Sequence, residues 1–197
     1  MASVSSPYGF QPVADQGGPA PRPLRIPFGI ASGYNANIFK GQPVFLNTAT
    51  GNLNGVTTTA QAIFGIFQGI EYTPLGGRPA VSPFWAAGTI YDPTYDTFAY
   101  VYPGWQDSVR FRVQAAGSIL QPGLGDSYNI ANPTAGNTAL GLSQCGILPT
   151  TAGAGNLGQF FLVEFDTGIN SAIGDAFTDV IVGIARAQVG AGFTSIG

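Results

Sequence analysis

The chain contains no histidine, and three other reactive residue types are nearly as scarce: one lysine (Lys40), one cysteine (Cys145) and one methionine (Met1). Histidine is the usual general base near neutral pH and the commonest metal ligand. Without it the Ser-His-Asp and Cys-His catalytic arrangements, histidine-containing zinc sites and histidine-based phosphoryl transfer fall away. Carboxylate-only or arginine-assisted chemistry is what remains open. A single cysteine excludes an internal disulfide, and Cys145, set between Gln144 and Gly146 in an apolar stretch, reads as a small buried hydrophobe.

Charge is scarce as well. Charged residues make up 9% of the chain, against about 25% in an ordinary soluble domain. Six arginines and one lysine face ten acids, for a formal net charge of −3. No basic stripe exists for a phosphate backbone, which argues against nucleic acid. No run approaches the ~18 apolar residues of a membrane span, and the first residues have neither the basic nor the apolar region of a signal peptide.

What the chain has in quantity is apolar, aromatic, glycine and proline residues. Hydrophobic residues are 45% of the 197, and Phe, Tyr and Trp are 12%, enough for a sizeable core. The surface must then be poor in charge, as interface cores are, where aromatics are enriched and charge is depleted. Such a surface predicts lasting contact with other proteins. With 29 glycines and 15 prolines, long helices have little room.

Residues 1–27 carry Pro7, Pro12, Pro19, Pro21, Pro23 and Pro27 and read as an extended arm. Tyr8, Phe10, Leu24 and Ile26 are too apolar for a disordered tail, so the arm is expected to pack on a partner or on its own body, the partner being favoured. Residues 28–197 read as one β-rich body. Strands are expected at 42–46, 62–72, 97–102, 108–115, 159–165 and 178–189, an edge strand at 78–85, and a short apolar run at 139–147. In 108–115 Val109, Phe111 and Val113 alternate with Arg110 and Arg112, the pattern of a half-buried strand with an exposed charged face. A helical turn is conceivable within 168–177, and 122–128 is indeterminate. The stretches 131–137 and 150–156 read as loops. The fold class is all-β with little helix, a barrel or sandwich.

Motifs of chemistry are weak. Gly153-Ala154-Gly155-Asn156-Leu157-Gly158 matches G-x-G-x-x-G, but a strand follows it where a dinucleotide site needs a helix. Ser143 and Cys145 have no histidine to activate them. Asp92 with Asp96, Glu164 with Asp166, and Asp175 with Asp179 are the carboxylates that a glycosidase could use, with Trp85 and Trp105 as sugar-stacking rings, and Asp92 and Asp96 with backbone carbonyls could serve calcium. Turn-forming aspartates are common without any ligand, so neither a cofactor nor a metal is expected. Arg110 and Arg112, with Asp107 just before them, are either a solvated strand face or an interface face.

Several stretches together resemble small head proteins of tailed phages. Ser6-Pro7-Tyr8-Gly9-Phe10-Gln11-Pro12-Val13 is similar to their PYGFRPV-like opening. Residues 30–44, ending Gly41-Gln42-Pro43-Val44, resemble the polar turn that enters their first core strand. Ile63-Phe64-Gly65-Ile66-Phe67-Gln68-Gly69-Ile70-Glu71-Tyr72-Thr73 is similar to their LGVFxGxEY strand, and Leu140-Gly141-Leu142-Ser143 and residues 158–170 follow in the same order. The resemblance implies a decoration (cement) protein with a β-barrel, jelly-roll or tulip-like body and an arm. It would sit on the virion, outside the capsid, at junctions of the major capsid protein, as a homo-oligomer, a trimer before a dimer, assembled in the host cytoplasm. It carries no catalytic residues. Tyr8, Phe10, Leu24, Ile26, Arg110 and Arg112 are the expected contact residues. Other virion parts (a head-fibre base, neck or tail tube) and a carbohydrate-binding or carboxylate glycosidase domain are the alternative functions.

Overall fold

Two β-strands with opposite surroundings illustrate the architecture. Residues 109–114 alternate buried and outward-facing side chains, whereas residues 65–72 are apolar on both sides. The first belongs to a sheet with one wet face, the second to a sheet covered on both. The computed structural model describes residues 4–14, 20–106, 109–153, 157–168 and 171–189.

The strands in chain order are β1 (Gln11–Ala14), β2 (Leu24–Pro27), β3 (Pro43–Leu46), β4 (Leu53–Gly55), β5 (Gly65–Tyr72), β6 (Ala80–Ser82), β7 (Phe98–Pro103), β8 (Val109–Gln114), β9 (Ser127–Ala131), β10 (Gly136–Asn137), β11 (Leu142–Ser143), β12 (Gly146–Thr151), β13 (Phe160–Phe165) and β14 (Asp179–Ile184). The single helical element among the described residues is a 3-10 turn, Gln121–Gly123, with proline in its first turn. The segment 168–177 holds turns instead of a helical one in its described residues.

Sheet one runs β1-β8-β14-β13-β9-β12, sheet two runs β2-β7-β5-β3-β4 with β6 also on β5, and β10-β11 form a small ribbon. All the strand pairings are antiparallel. In each sheet one local contact links strands that are not ladder neighbours: the residues after β8 meet β12, and the residues after β2 meet β4. In sheet one Ala116 N–H reaches the Ile147 carbonyl at 2.8 Å, and in sheet two Leu53 N–H reaches the Gly29 carbonyl at 2.6 Å. No ladder continues from either contact, so the molecule is a sandwich and not a closed barrel.

Two apolar clusters hold it together. The first lies under sheet one, where Phe111, Val113, Phe160, Leu162, Val180 and Val182 meet Ile66, with Phe45 and Tyr102 packed against it from sheet two. The second lies on the other face of sheet two, around Val44, Phe67, Ile70, Ala99 and Val101, and is roofed by Ile30, Ile38, Trp85 and Tyr91 from the connecting segments. The period of two in a strand sends neighbours to opposite clusters: Val44 and Phe45, Ile66 and Phe67, Val101 and Tyr102. That is why 62–72 reads as an almost unbroken apolar run.

Of the expected arm, residues 1–3 and 15–19 lie outside the described residues, while β1 and β2 lie on the chain's own body, the placement expected second to a partner. β1 pairs with β8 on sheet one, and β2 pairs with β7 on sheet two. Sheet one is otherwise built from residues 109–184 and sheet two from 24–103, so the N-terminal segment ties one sheet to the other. Pro12 and Pro27 suit this placement, because both strands are edges, where the missing N–H costs least.

Candidate functional site

The outer face of sheet one gathers most of the polar chemistry. Register places Arg112 between Gln11 of β1 and Ile181 of β14, and Arg110 beside Val13. Phe161 of β13 pairs with Gly183, where a side chain would collide with the Phe161 ring. The Arg110 guanidinium carbon is 5.4 Å from the centroid of that ring, and its Nε is buried without a hydrogen-bond partner. An arginine over an aromatic face is attracted by the ring quadrupole. Asp107, expected alongside, lies outside the described residues.

Arg112 is the hub of a second group. Its Nε pairs with an Asp166 oxygen, its Nη2 lies 3.7 Å from Asp179 Oδ2, and its guanidinium carbon stands 5.8 Å from the centroid of the Tyr8 ring. The Tyr8 hydroxyl donates to Asp179 Oδ1 at 3.2 Å, and Asp179 N–H donates to Ser171 Oγ at 2.9 Å. Burial pushes the Asp179 carboxyl above its usual 3.8. The Tyr8 hydrogen bond and the Arg112 charge oppose that rise without cancelling it. The reason is geometric: Arg112 is half-exposed and shared between two carboxylates. Burial beside Asp179 also pushes the Tyr8 hydroxyl far above the ordinary phenol range.

The Asp179 shift sets a pH dependence. With a folded value above the unfolded one, the folded state binds more protons in the interval between them, so stability falls as pH rises there. The contribution of Asp179 is fully present below the unfolded value and is lost as pH rises through the folded one. The stability of Asp179→Asn relative to wild type is therefore expected to grow from about pH 4 upward and then level off. Thermal melts across pH read this directly; a difference that stays constant with pH would show that Asp179 is not the titrating group.

The expected contact residues do not form one site. Tyr8, Arg110 and Arg112 share this outer face. Phe10, expected as a partner anchor, is instead buried in the first cluster, its ring stacked 4.4 Å from Phe160 and edge-on to Phe111 at 6.5 Å. Leu24 and Ile26 sit on sheet two opposite Val101 and Ala99, both half-buried, and Ile26 packs against the second cluster. An apolar side chain beside an unfilled core is drawn into it before any partner arrives. Gln114, Phe161, Asp166 and Asp179 join Tyr8 and the arginines on or beside the outer face. The two aspartates flank apolar strand runs in the sequence, but only strand pairing shows which arginine they meet.

The remaining chemical candidates have local duties. Gly158 is the last glycine of the G-x-G-x-x-G match, whose residues 154–156 lie outside the described residues. A Cβ on it would lie 2.7 Å from both the backbone N and O of Tyr128, so close strand approach accounts for the glycine. Ser143 and Cys145 are both fully buried, with the Ser143 hydroxyl 2.8 Å from the sulfur, and burial pushes the thiol up to about 12. Asp92 accepts the Thr94 N–H at 2.9 Å and its hydroxyl at 2.7 Å, two bonds that close its turn and hold its carboxyl below the usual range. Trp85 is a core residue that donates to the Tyr34 carbonyl, not a sugar platform. Trp105 packs edge-on against Phe64 at 5.0 Å. Among the described residues no three Cys, Asp or Glu side chains gather as a metal site, and no helix is long and apolar enough to cross a membrane.

The surface beyond this face exposes large apolar side chains. Val81 is 79% exposed and Leu75 is 65% exposed, and Ile90, Leu120, Leu140 and Leu157 are each more than half exposed. Leu75 and Ile90 are neighbours, since Leu75 N–H points at the Ile90 carbonyl. Val81 also lines a shallow groove with Pro23, Lys40, Gln68, Pro83 and Tyr100. No protein-family model matches the chain, and no curated protein or solved structure matches it either.

Proposed function

We propose that the chain is a structural virion protein, a decoration protein that binds the outside of a tailed-phage head at junctions of the major capsid protein and acts there as a homo-oligomer, a trimer before a dimer. The observation that carries this reading is the surface: exposed leucine, isoleucine and valine side chains in a chain with only 9% charged residues. Such a surface is costly for a monomer in water and suited to lasting protein contact. The resemblance of residues 6–13, 30–44 and 63–73 to small phage head proteins supplies the kind of partner.

The mechanism asked of such a protein is purely mechanical. Genome pressure pulls shell subunits apart at their junctions. A rigid oligomer that binds several subunits at once opposes this through avidity, each contact being modest by itself. A sandwich with two packed clusters supplies the rigidity, and its loops and outer faces supply the contacts.

Electron microscopy of the particle tests the reading. The expected result is density for the sandwich on the outer head surface, repeated at capsid junctions, together with heads that break at lower temperature when the protein is stripped off. Density in the neck or tail tube, or absence from the particle, would overturn it.

A further inference from the structure

Residues 4–8 lie on the molecule without joining either sheet, and among the described residues no backbone–backbone hydrogen bond involves them. Side chains hold their main chain instead: Gln11 Nε2 donates to the Tyr8 carbonyl at 2.9 Å, and Gln114 engages two groups further toward the start. Gln114 accepts Ser6 N–H through Oε1 at 2.8 Å, and its Nε2 donates to the Val4 carbonyl at 3.3 Å. A carbonyl and the N–H two residues later are the pair that an adjacent strand engages on one edge of an extended chain, and a carboxamide offers the matching acceptor and donor. Gln114 is itself only 7% exposed. A cavity of about 150 Å³ remains beside the strap, lined by Ser5 and Pro7 of the strap and by Gln114, Asn132 and Gln144 of the body. Beyond it the Tyr8 hydroxyl meets Asp179.

The attachment changes character at Gly9. Its φ of +71° turns the chain, and the next residue, Phe10, is held by its buried ring and by its N–H on the Gly41 carbonyl at 2.9 Å. Residues 4–8 are thus a strap held by side chains, and residues 10–14 a plug held by core and ladder. Segments with few buried contacts open at low cost while the rest stays folded.

We infer that this groove is a main-chain-reading site that takes residues 4–8 from a second copy of the chain, the strap leaving at Gly9 while Phe10 and β1 remain in place. The seat is matched to this segment through the Gln114 contacts to Ser6 and Val4 and the Asp179 contact to Tyr8, and exchange between identical chains replaces each contact with the same contact. The strap carries no charge, so neither copy repels it. The inference rests on the particle reading for its purpose, a contact within the homo-oligomer, and on the groove alone for its chemistry.

The test uses a chain shortened to begin at Gly9, which keeps Phe10 and β1, and a fluorescent peptide, Val-Ser-Ser-Pro-Tyr-Gly, copying residues 4–9. Anisotropy should show saturable binding to the shortened chain. Binding should be at least tenfold weaker to the full chain, whose groove holds its own strap, and to the shortened chain carrying Gln114→Leu. Mixing the shortened chain with a full-length Gln114→Leu chain, whose strap lacks its own seat, should give a one-to-one complex in sedimentation. No peptide binding by a shortened chain with an intact melt, or binding indifferent to Gln114, would overturn the groove; chains that stay apart would overturn the second copy as occupant. In the unshortened protein the Ser6 amide should exchange hydrogen at least 100-fold faster than the Phe10 amide relative to their intrinsic rates, and co-exchange of the two would overturn the strap whether or not the shortened chain folds. These readouts are independent of where the protein sits on a particle, so failure of the decoration reading would be seen separately.

Discussion

Replacing Phe10 with alanine is expected to destabilise the whole sandwich by about 3–5 kcal/mol. For a chain of this size that lowers the melting temperature by roughly 6–20 °C. The ring is fully buried, stacked on Phe160 and edge-on to Phe111, so its loss leaves a cavity between β8 and β13 of sheet one. It also frees the start of β1, the strand through which the N-terminal segment joins sheet one. Tyr8→Ala, two residues earlier, is the contrast. Tyr8 is half-buried and contributes one hydrogen bond to Asp179, so its loss should cost about 1 kcal/mol. Calorimetry of the two variants reads the difference; equal, small effects would mean that Phe10 is available to a partner after all.

The same contrast bears on how any role of the N-terminus in particle binding is measured. A deletion of residues 1–13 removes Phe10 and nearly all of β1, so weakened retention would report a damaged fold. Removal of residues 1–8 spares both and isolates the contribution of the strap.

Gly158→Ala is the second large effect expected. A methyl group there would lie 2.7 Å from the Tyr128 nitrogen and oxygen, and these are backbone atoms that cannot swing away. β9 and β13 pair just beyond this point, at Tyr128 and Phe160, so relief requires separating the two strands. Overpacking of this kind costs about 1–3 kcal/mol, occasionally more, and the rigid neighbour places this site at the upper end. The melting temperature should fall by several degrees, at about 2–4 °C per kcal/mol. An unchanged melt would mean that the strands are not in contact there, and would return the glycine motif to consideration as a loop for a ligand.

The strands easiest to read in the sequence were those with one clear face or a long apolar run: β5, β8, β13 and β14 fall within expected segments, and β7 runs one residue past the end of its own. β1 and β2 were hidden by their prolines, which disfavour a strand except at a sheet edge, and edge position is a property of the assembled sheet. β4, β9 and β10 were missed because two to five residues containing Gly, Asn or Ser carry little periodicity. Of the expected contact residues, Arg110 and Arg112 were legible as an outward-facing pair from alternation alone. Their partners were not, since Tyr8 and Asp179 are 171 positions apart in the chain.

What the sequence by itself determined is the class of molecule: no histidine, little charge, abundant glycine and aromatics, and strand-period patterning lead to an all-β body with a surface short of charge. These are sums and periods, which survive without coordinates. Only the tertiary structure decided that Phe10 is a core plug while Tyr8, two residues earlier, faces the arginines, and that an amide from β8 holds the chain end. Those outcomes depend on which strands pair. Pairing is settled by burial of both sheets together, at separations in sequence that no local pattern spans.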